Sequence, residues 1–444
     1  MNYSSAVAYL DSLVNYERLP NQQGLRERRL ERMHSLLDAL GNPHERLRII
    51  HVAGTKGKGS VCAMLYTVLR RCDVAVGLYT SPHLEDLRER IRVTPPEGIA
   101  DWISEGALAE GIARVRSAID ATTLAGGPVT YFEALTAVAL DYFARRGARW
   151  AILEVGLGGR LDATNATQPP VAAITPISLD HTEALGTTVE TIAVEKAGII
   201  KPGQTVVSAP QVLPAESVVR AACARAGARL IQCGNDVTVD DVLVSRAGTR
   251  CTITGRCGRY ADLQLPLLGR HQADNAAVAV ATLEALRGVD ATVPWTPAML
   301  RDGLARTDWP GRGEWIPASP PLLFDGAHNG ASADALRQLV QDLLPLEARI
   351  GVVLGMSQGK DVGGVARALA PLAPEVWATQ ADHPRSLPAH ALASRLQPWL
   401  PMTHAVPHWR EALQHAQRAG CDVIVVTGSL FLVGQARQHV AALA

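Results

Sequence analysis

Lys58 and Ser60 lie in the string G-T-K-G-K-G-S (54–60), where a run of β-formers from Leu47 to Val52 breaks into a glycine-rich turn. A helix-period segment follows, with Val61, Met64, Leu65, Val68 and Leu69 on one face. Strand, glycine loop, lysine, hydroxyl and helix together suit a polyphosphate. Glycines let backbone N–H groups curl around the anion, and a helix N-terminus adds partial positive charge. Lys58 is placed to reach the outer phosphates and Ser60 to ligate Mg²⁺. The usual pattern sets lysine directly before the hydroxyl, whereas here Gly59 intervenes. The bland alternative is a flexible basic turn; the flanking strand and helix favour phosphate, and ATP as a substrate.

Other reactive side chains follow strand-like runs, and in a parallel sheet ligands collect beyond the carboxyl ends of strands. Ser81 opens S-P-H-L after Val74–Thr80, either as a magnesium ligand or as a simple Ser-Pro turn. Glu154 ends an apolar strand, A-I-L-E-V, where an unpaired carboxylate is costly to bury. A metal ion satisfies it, as would a buried arginine. The loop beyond carries Arg160 and Asp162 in G-L-G-G-R-L-D. His181, in S-L-D-H-T, follows the next strand and belongs to the same rim, as a metal ligand or general acid/base. Lys196 closes a helix, where a lysine is ordinarily a favourable C-terminal charge. Arg312 is suited to fork onto phosphate, Asp325 and His328 share the turn F-D-G-A-H-N and are expected to face the same cleft, and Asn275 is expected at a helix start with an amide edge for adenine.

These residues need an α/β scaffold. Strand candidates Leu47–Val52, Val74–Thr80, Arg149–Val155, Val171–Ile177 and Thr205–Ala209 alternate with helical stretches such as Tyr131–Arg145 and Thr188–Ala197. This predicts a mainly parallel sheet after two N-terminal helices. Residues 229–266 predict a small antiparallel appendage, followed by a helix near Asn275–Leu286. A second alternation, with strands Leu322–Asp325, Ile350–Leu354, Glu375–Thr379 and Asp422–Thr427, predicts a doubly wound, Rossmann-like C-terminal domain. The predicted domains are 1–307, carrying the phosphate loop, and 308–444. Two cores suit 444 residues. Zero formal net charge argues against a nucleic-acid binder. No apolar run reaches the ~18 residues of a membrane span, and the N-terminus lacks a signal peptide's pattern, so a cytoplasmic protein is expected. Seven cysteines without a C-x-x-C pair form neither a disulfide framework nor a zinc site.

Taken in order, G-T-K-G-K-G-S, T-S-P-H-L, E-V-G-L-G-G-R-L-D-A-T-N, D-H-T-E-A-L-G, E-K-A-G-I-I-K, D-G-A-H-N and T-G-S-L-F-L-V resemble folylpolyglutamate synthase and the bifunctional dihydrofolate synthase/folylpolyglutamate synthases, relatives of the peptidoglycan amino-acid ligases. The resemblance spans nearly the whole chain. It implies an ATP-driven ligation of L-glutamate to a folate or dihydropteroate carboxylate through an acyl phosphate, with two Mg²⁺ ions. By the same resemblance Gly57, Lys58, Gly59 and Ser60 hold the nucleotide phosphates, and Asn275, Arg312 and Asp325 contact the nucleotide. Ser81 and Glu154 ligate one magnesium and His181 the second. Lys196 matches a carbamylated lysine, and His328 shares the D-G-A-H-N loop. Thr130, Tyr131, Phe132 and Glu133, with Leu161, Asp162 and Ala163, match the pterin or folate side.

The chain departs from the family pattern at Gly330, usually proline, at Gly313, usually a larger apolar residue, and at Gly359, commonly aspartate. Residues 19–30, L-P-N-Q-Q-G-L-R-E-R-R-L, keep Gly24-Leu25 but lack the aspartate of the dihydropteroate-binding stretch, which tilts the expectation toward polyglutamylation. Two self-contained domains suit a monomer. The competing readings are an amide ligase acting on another carboxylate and a nucleotide-binding relative without catalysis. The first is disfavoured because the phosphate loop starts by residue 54, leaving no room for an extra N-terminal substrate domain; the second, because no carried-over ligand is missing.

Overall fold

Arg48–Ala53 (β1) is buried along all but its first residue, so it must be covered on both faces. It is the central strand of a seven-stranded sheet. In chain order the others are Val76–Tyr79 (β2), Ile91–Val93 (β3), Trp150–Glu154 (β4), Val171–Ile174 (β5), Thr205–Ser208 (β6) and Arg229–Gln232 (β7), arranged β3-β2-β4-β1-β5-β6-β7. All pairs are parallel except β2–β3. The computed structural model describes residues 1–18, 30–95, 101–121 and 127–442. The Gly24-Leu25 stretch lies outside them.

Helices Lys58–Arg71 and Arg270–Val289 contribute Val61, Leu65, Leu69, Val278 and Leu283 to the core on one face. Tyr131–Arg145 and Glu105–Ala121, with the N-terminal helices Tyr3–Ser12 and Leu30–Ala39, build the core on the other. Two expectations are corrected here. Residues 229–232 do not join the appendage. Helix Leu213–Ala226 ends at Gly227 in the left-handed conformation and delivers the chain back onto β6 as a further parallel strand. The appendage is Thr238–Ser245 (β8), Gly248–Thr254 (β9) and Arg259–Leu265 (β10), antiparallel in the order β10-β9-β8. The helix after it begins at Arg270, so Asn275 sits in its second turn rather than at its start.

The chain passes to the second sheet between Ala305 and Arg312. Its strands are Arg312–Ile316 (β11), Leu322–Asp325 (β12), Ile350–Gly355 (β13), Glu375–Gln380 (β14), Thr403–His408 (β15) and Val423–Thr427 (β16), in the order β11-β12-β16-β13-β14-β15. The two strands not expected are the two edges. β11 carries Gly313 and Glu314 and pairs antiparallel with β12. β15 contains Pro407, which an edge tolerates because one side of the strand needs no donor. Gly313 adopts φ +63°, and a Cβ there would lie 2.9 Å from the Leu268 carbonyl oxygen, so a larger residue does not fit this backbone. Gly330 is the first residue of helix Gly330–Leu343, the position a proline also suits.

The two halves interlock through the loop after β2. Leu84 packs into the core of the C-terminal half beside Val433. Arg437, on the terminal helix Leu430–Ala441, binds Glu85 at 2.5 Å and Glu314 at 2.9 Å. A Cβ at Gly434 would stand 2.1 Å from the Leu84 carbonyl oxygen, which is backbone and cannot swing aside. Gly434→Ala should therefore destabilise the protein by about 1–3 kcal/mol through overpacking. Urea unfolding measures this, and an unchanged midpoint would contradict the interlock.

Candidate active site

At the carboxyl end of β1 the chain turns through Gly54 to Gly57. Gly57 has φ +82° and caps helix Lys58–Arg71. A Cβ at Gly57 would meet Asn275 Oδ1 at 2.2 Å, so the amide of Asn275 lies directly against the phosphate loop. A Cβ at Gly59 would stand 2.9 Å from the Trp309 indole. Lys58 is the first helical residue and Ser60 is buried one turn in. The expected loop-to-helix geometry for an anion is present, set against the junction of the two halves.

β4 ends in Glu154, which is buried. Its Oε2 accepts the Ser81 N–H at 3.2 Å, and its Oε1 lies 3.9 Å from Lys58 Nζ. Burial raises the carboxyl above its usual range; Lys58, the Ser81 N–H and Arg312 oppose this. Ser81, Glu154 and Lys58 thus meet as the sequence suggested. Lys196 is also buried and donates to the Gly54 carbonyl at 2.7 Å. It is not the exposed helix-end charge of the bland reading. Burial, with Lys58 adding repulsion, lowers its ammonium to about 7.

The loop after β5 carries Asp180 and His181. Asp180 gathers three partners: Lys56 Nζ at 3.0 Å, Lys360 Nζ at 2.6 Å and His328 Nε2 at 3.2 Å. Although burial raises it, the ammonium groups of Lys56 and Lys360 hold its carboxyl far below the usual range. His181 Nε2 stands 3.5 Å from Lys360 Nζ. Burial pushes its imidazole well below the usual value, and Lys360 pushes it the same way. His328 Nδ1 donates to the Gly326 carbonyl at 2.8 Å, leaving Nε2 to accept from Lys56 at 2.8 Å. Among the described residues no three His, Cys, Asp or Glu side chains come close enough to share one metal ion.

A cavity of ≈ 240 Å³ opens between the carboxyl edges of the two sheets. Ser81, Thr130, Phe132, Glu133, Leu161, Asp162, Ala163, His181 and His328 line it, with Lys360, Arg385 and Phe431 from the C-terminal half. Tyr131 does not. It is buried, with the Arg90 guanidinium 5.7 Å from its ring centroid, because helix Tyr131–Arg145 turns its side chain into the core. Glu133 and Asp162 line the cavity but spend their oxygens on the scaffold. Glu133 receives both Arg32 Nε (2.8 and 2.9 Å) and the Thr130 N–H (2.8 Å). Asp162 receives Leu157 N–H at 3.0 Å and the Thr164 hydroxyl at 2.6 Å.

Arg312 pairs across the sheet with Asp325, which accepts from Gly313 and Ala327 N–H at 2.9 and 2.8 Å. Arg312 also walls a smaller cavity of ≈ 190 Å³ with Trp309. His328 and Asp325 diverge: the first faces the larger cavity, and the second turns toward Arg312 and His271. Sequence reasoning passed over Lys56, Asp180, Lys360 and Arg385. Asp180 adjoins His181 and Lys56 sits in the phosphate loop, so position alone could have raised both. Lys360 and Arg385 lie in loops of the other half, where only the folded chain brings them to the rim.

The profile of the Mur ligase middle domain matches residues 52–283, and that of the Mur ligase glutamate ligase domain matches residues 311–430. The folylpolyglutamate synthase of Lacticaseibacillus casei is 36% identical over 99% of this chain and 98% of its own. The dihydrofolate synthase/folylpolyglutamate synthase of Mycobacterium tuberculosis is 36% identical over 86% and 81%. Among solved structures, the M. tuberculosis folylpolyglutamate synthase complexed with ADP and AMPPCP superposes with TM-score 0.88 at 32% identity, covering 99% of each chain. E. coli FolC in complex with DHPP and ADP gives 0.86 at 30% identity, covering 100% of this chain and 98% of that one.

Glu154→Gln keeps volume and removes a desolvated charge. Ligation should fall by more than about a hundredfold, beyond the loss typical of an outer-shell metal partner. The melting temperature should hold or rise. Near-normal turnover, measured as phosphate release, would remove Glu154 from the reaction centre.

Proposed function

The chain belongs to the folylpolyglutamate synthase and dihydrofolate synthase family of Mur ligases, and from that premise we propose the following reading of its cleft. The protein is an ATP-dependent ligase that adds glutamate to folate. The folate carboxylate attacks the γ-phosphoryl group of ATP, releasing ADP and forming an acyl phosphate. The amine of L-glutamate then attacks the acyl carbon and expels phosphate. The observation that carries this reading is the convergence of the phosphate loop, Glu154 and the Asp180 cluster on one rim beside the larger cavity.

Lys58 and the N–H groups of the helix it opens hold the phosphates and draw charge from the transferring oxygens. Asn275, Arg312 and Asp325 serve the nucleotide. Phe132, Leu161 and Ala163 give an apolar wall for the ring system, while Lys360 and Arg385 bring positive charge from the opposite side. A buried carboxylate with an underused oxygen suits a hard cation, so Glu154 and Ser81 fit one Mg²⁺ and His181 a second. Bound magnesium supplies charge neutralisation on the phosphoryl oxygens. We place the domain boundary near Thr307, giving domains 1–307 and 308–444, and read the protein as a cytoplasmic monomer. No helix among the described residues is long and apolar enough to cross a membrane.

The test is a substrate panel: tetrahydrofolate, its monoglutamate-extended form and dihydropteroate, each with glutamate and MgATP. Folate- and glutamate-dependent ADP release is expected, with dihydropteroate the poorer substrate. ATP turnover indifferent to folate would defeat the reading.

Lys196 is positioned for carbamylation. Only the neutral amine adds CO₂, and an ammonium lowered to about 7 supplies it increasingly as pH rises through that value. The resulting carbamate would face Lys58 and Lys56, which now repel the ammonium. Protein dialysed free of CO₂ at pH 6 should lose activity and regain it with bicarbonate. Equal activity in both buffers, with an unmodified Lys196 peptide by mass spectrometry, would exclude the modification.

A further inference from the structure

The phosphate loop carries two lysines, and their amines part company. Lys58 Nζ stays within its own half, 3.5 Å from the Thr55 carbonyl and 3.9 Å from Glu154. Lys56 Nζ crosses to the junction. It donates to Asp180 at 3.0 Å and to His328 Nε2 at 2.8 Å. His328 belongs to the turn after β12, and Lys360, on the other oxygen of Asp180, to the turn after β13. Nearby, Asn329 Nδ2 donates to the Leu179 carbonyl at 3.3 Å, a second tie between the turn after β5 and the turn after β12.

We propose that Lys56 is a positioning residue: its ammonium ties the phosphate loop to the C-terminal half through Asp180 and His328, and thereby sets where glutamate meets the activated carboxylate. The reasoning lies in the lone pairs. His328 Nδ1 holds its proton against the Gly326 carbonyl, so Nε2 presents a lone pair. That lone pair stands 3.2 Å from the Asp180 carboxylate, another acceptor. Lys56 is the donor that lies between them and satisfies both. Without it the two acceptors confront each other in a largely buried setting, and the imidazole loses its orientation. A residue of the nucleotide loop is thus used to order the opposite wall of the cleft. This inference rests on the ligase reading only for the identity of the amino acid.

The experiment compares wild type, Lys56→Met and Lys56→Arg. Methionine keeps the stem and removes the donors, while arginine keeps charge and donors. For Lys56→Met the glutamate KM should rise about tenfold or more, as loss of a charged hydrogen bond implies. The dissociation constant for ADP, by calorimetry, should move less than about threefold, since no tie to the nucleotide is lost. Lys56→Arg should recover most of the loss. If ADP affinity falls by the larger factor and the glutamate KM stays put, Lys56 is an ordinary phosphate contact and the proposal is overturned. Equal defects in the two variants overturn it as well. If wild type shows no folate-dependent turnover, the ligase reading fails by itself. Small-angle scattering then still judges the tie: ADP-bound Lys56→Met should be more open than wild type, and identical profiles would refute it.

Discussion

Three ammonium groups are crowded around a single loop, and the rest of the molecule is arranged to make that tolerable. Lys56, Lys58 and Lys196 all approach the turn after β1; Lys58 lowers the proton affinity of both others, and Lys56 that of Lys196. Burial is the larger cause, and together they take Lys56 to about 8 and Lys196 to about 7. The compensating anions are Glu154 and Asp180, one at the carboxyl end of β4 and one after β5, the two strands that flank β1. Parallel pairing brings the ends of all three strands to one edge. An antiparallel neighbour would have sent its carboxyl end to the far side of the sheet. The positive surplus that remains suits a polyanion.

The same edge explains why the two sheets cannot be treated as independent. Leu84 gives an apolar plug to the C-terminal core, Arg437 holds the loop that carries it, and Asp180 binds Lys56 from one half and Lys360 from the other. Ser81 begins that loop and contacts Glu154 through its N–H. A few residues therefore connect the C-terminal half to the carboxylate beside Lys58. The connection is backbone and closely packed side chains.

Much of this was readable from the chain, for identifiable reasons. β1, β2, β4, β5 and β6 are short apolar runs bounded by Gly, Pro or charge, and each was placed within a few residues. Helix Tyr131–Arg145 announces its start with the capping pair Thr130 and Glu133. Glu154 stood out because an acid at the end of an apolar strand needs a reason. Periodicity failed at sheet edges, where β11 and β15 bury too little to show a pattern and β15 includes Pro407. It failed again at β7, whose Arg229 and Gln232 give no hint that the strand joins the parallel sheet. Side-chain direction was the other limit. Tyr131 lies between two cavity-lining residues, yet helical geometry rotates it by about 100° per residue into the core. The Asp180 cluster was invisible because Lys56, Lys360 and His328 are separated by long stretches of sequence and meet only when both sheets are built.

The odd spacing of the phosphate loop has a structural cause of its own. Gly57 takes the left-handed conformation and ends the loop, so Lys58 begins the helix and Ser60 falls one position later than in the usual motif. Gly59 lies where any side chain would strike the Trp309 indole, at 2.9 Å from its Cβ position. Trp309 immediately precedes Pro310 and the first strand of the C-terminal half, and it walls the smaller cavity with Arg312. The intervening glycine therefore also serves the junction. It lets the linker between the halves rest on the first turn of the nucleotide helix. A loop built for phosphate alone would have no need of that contact.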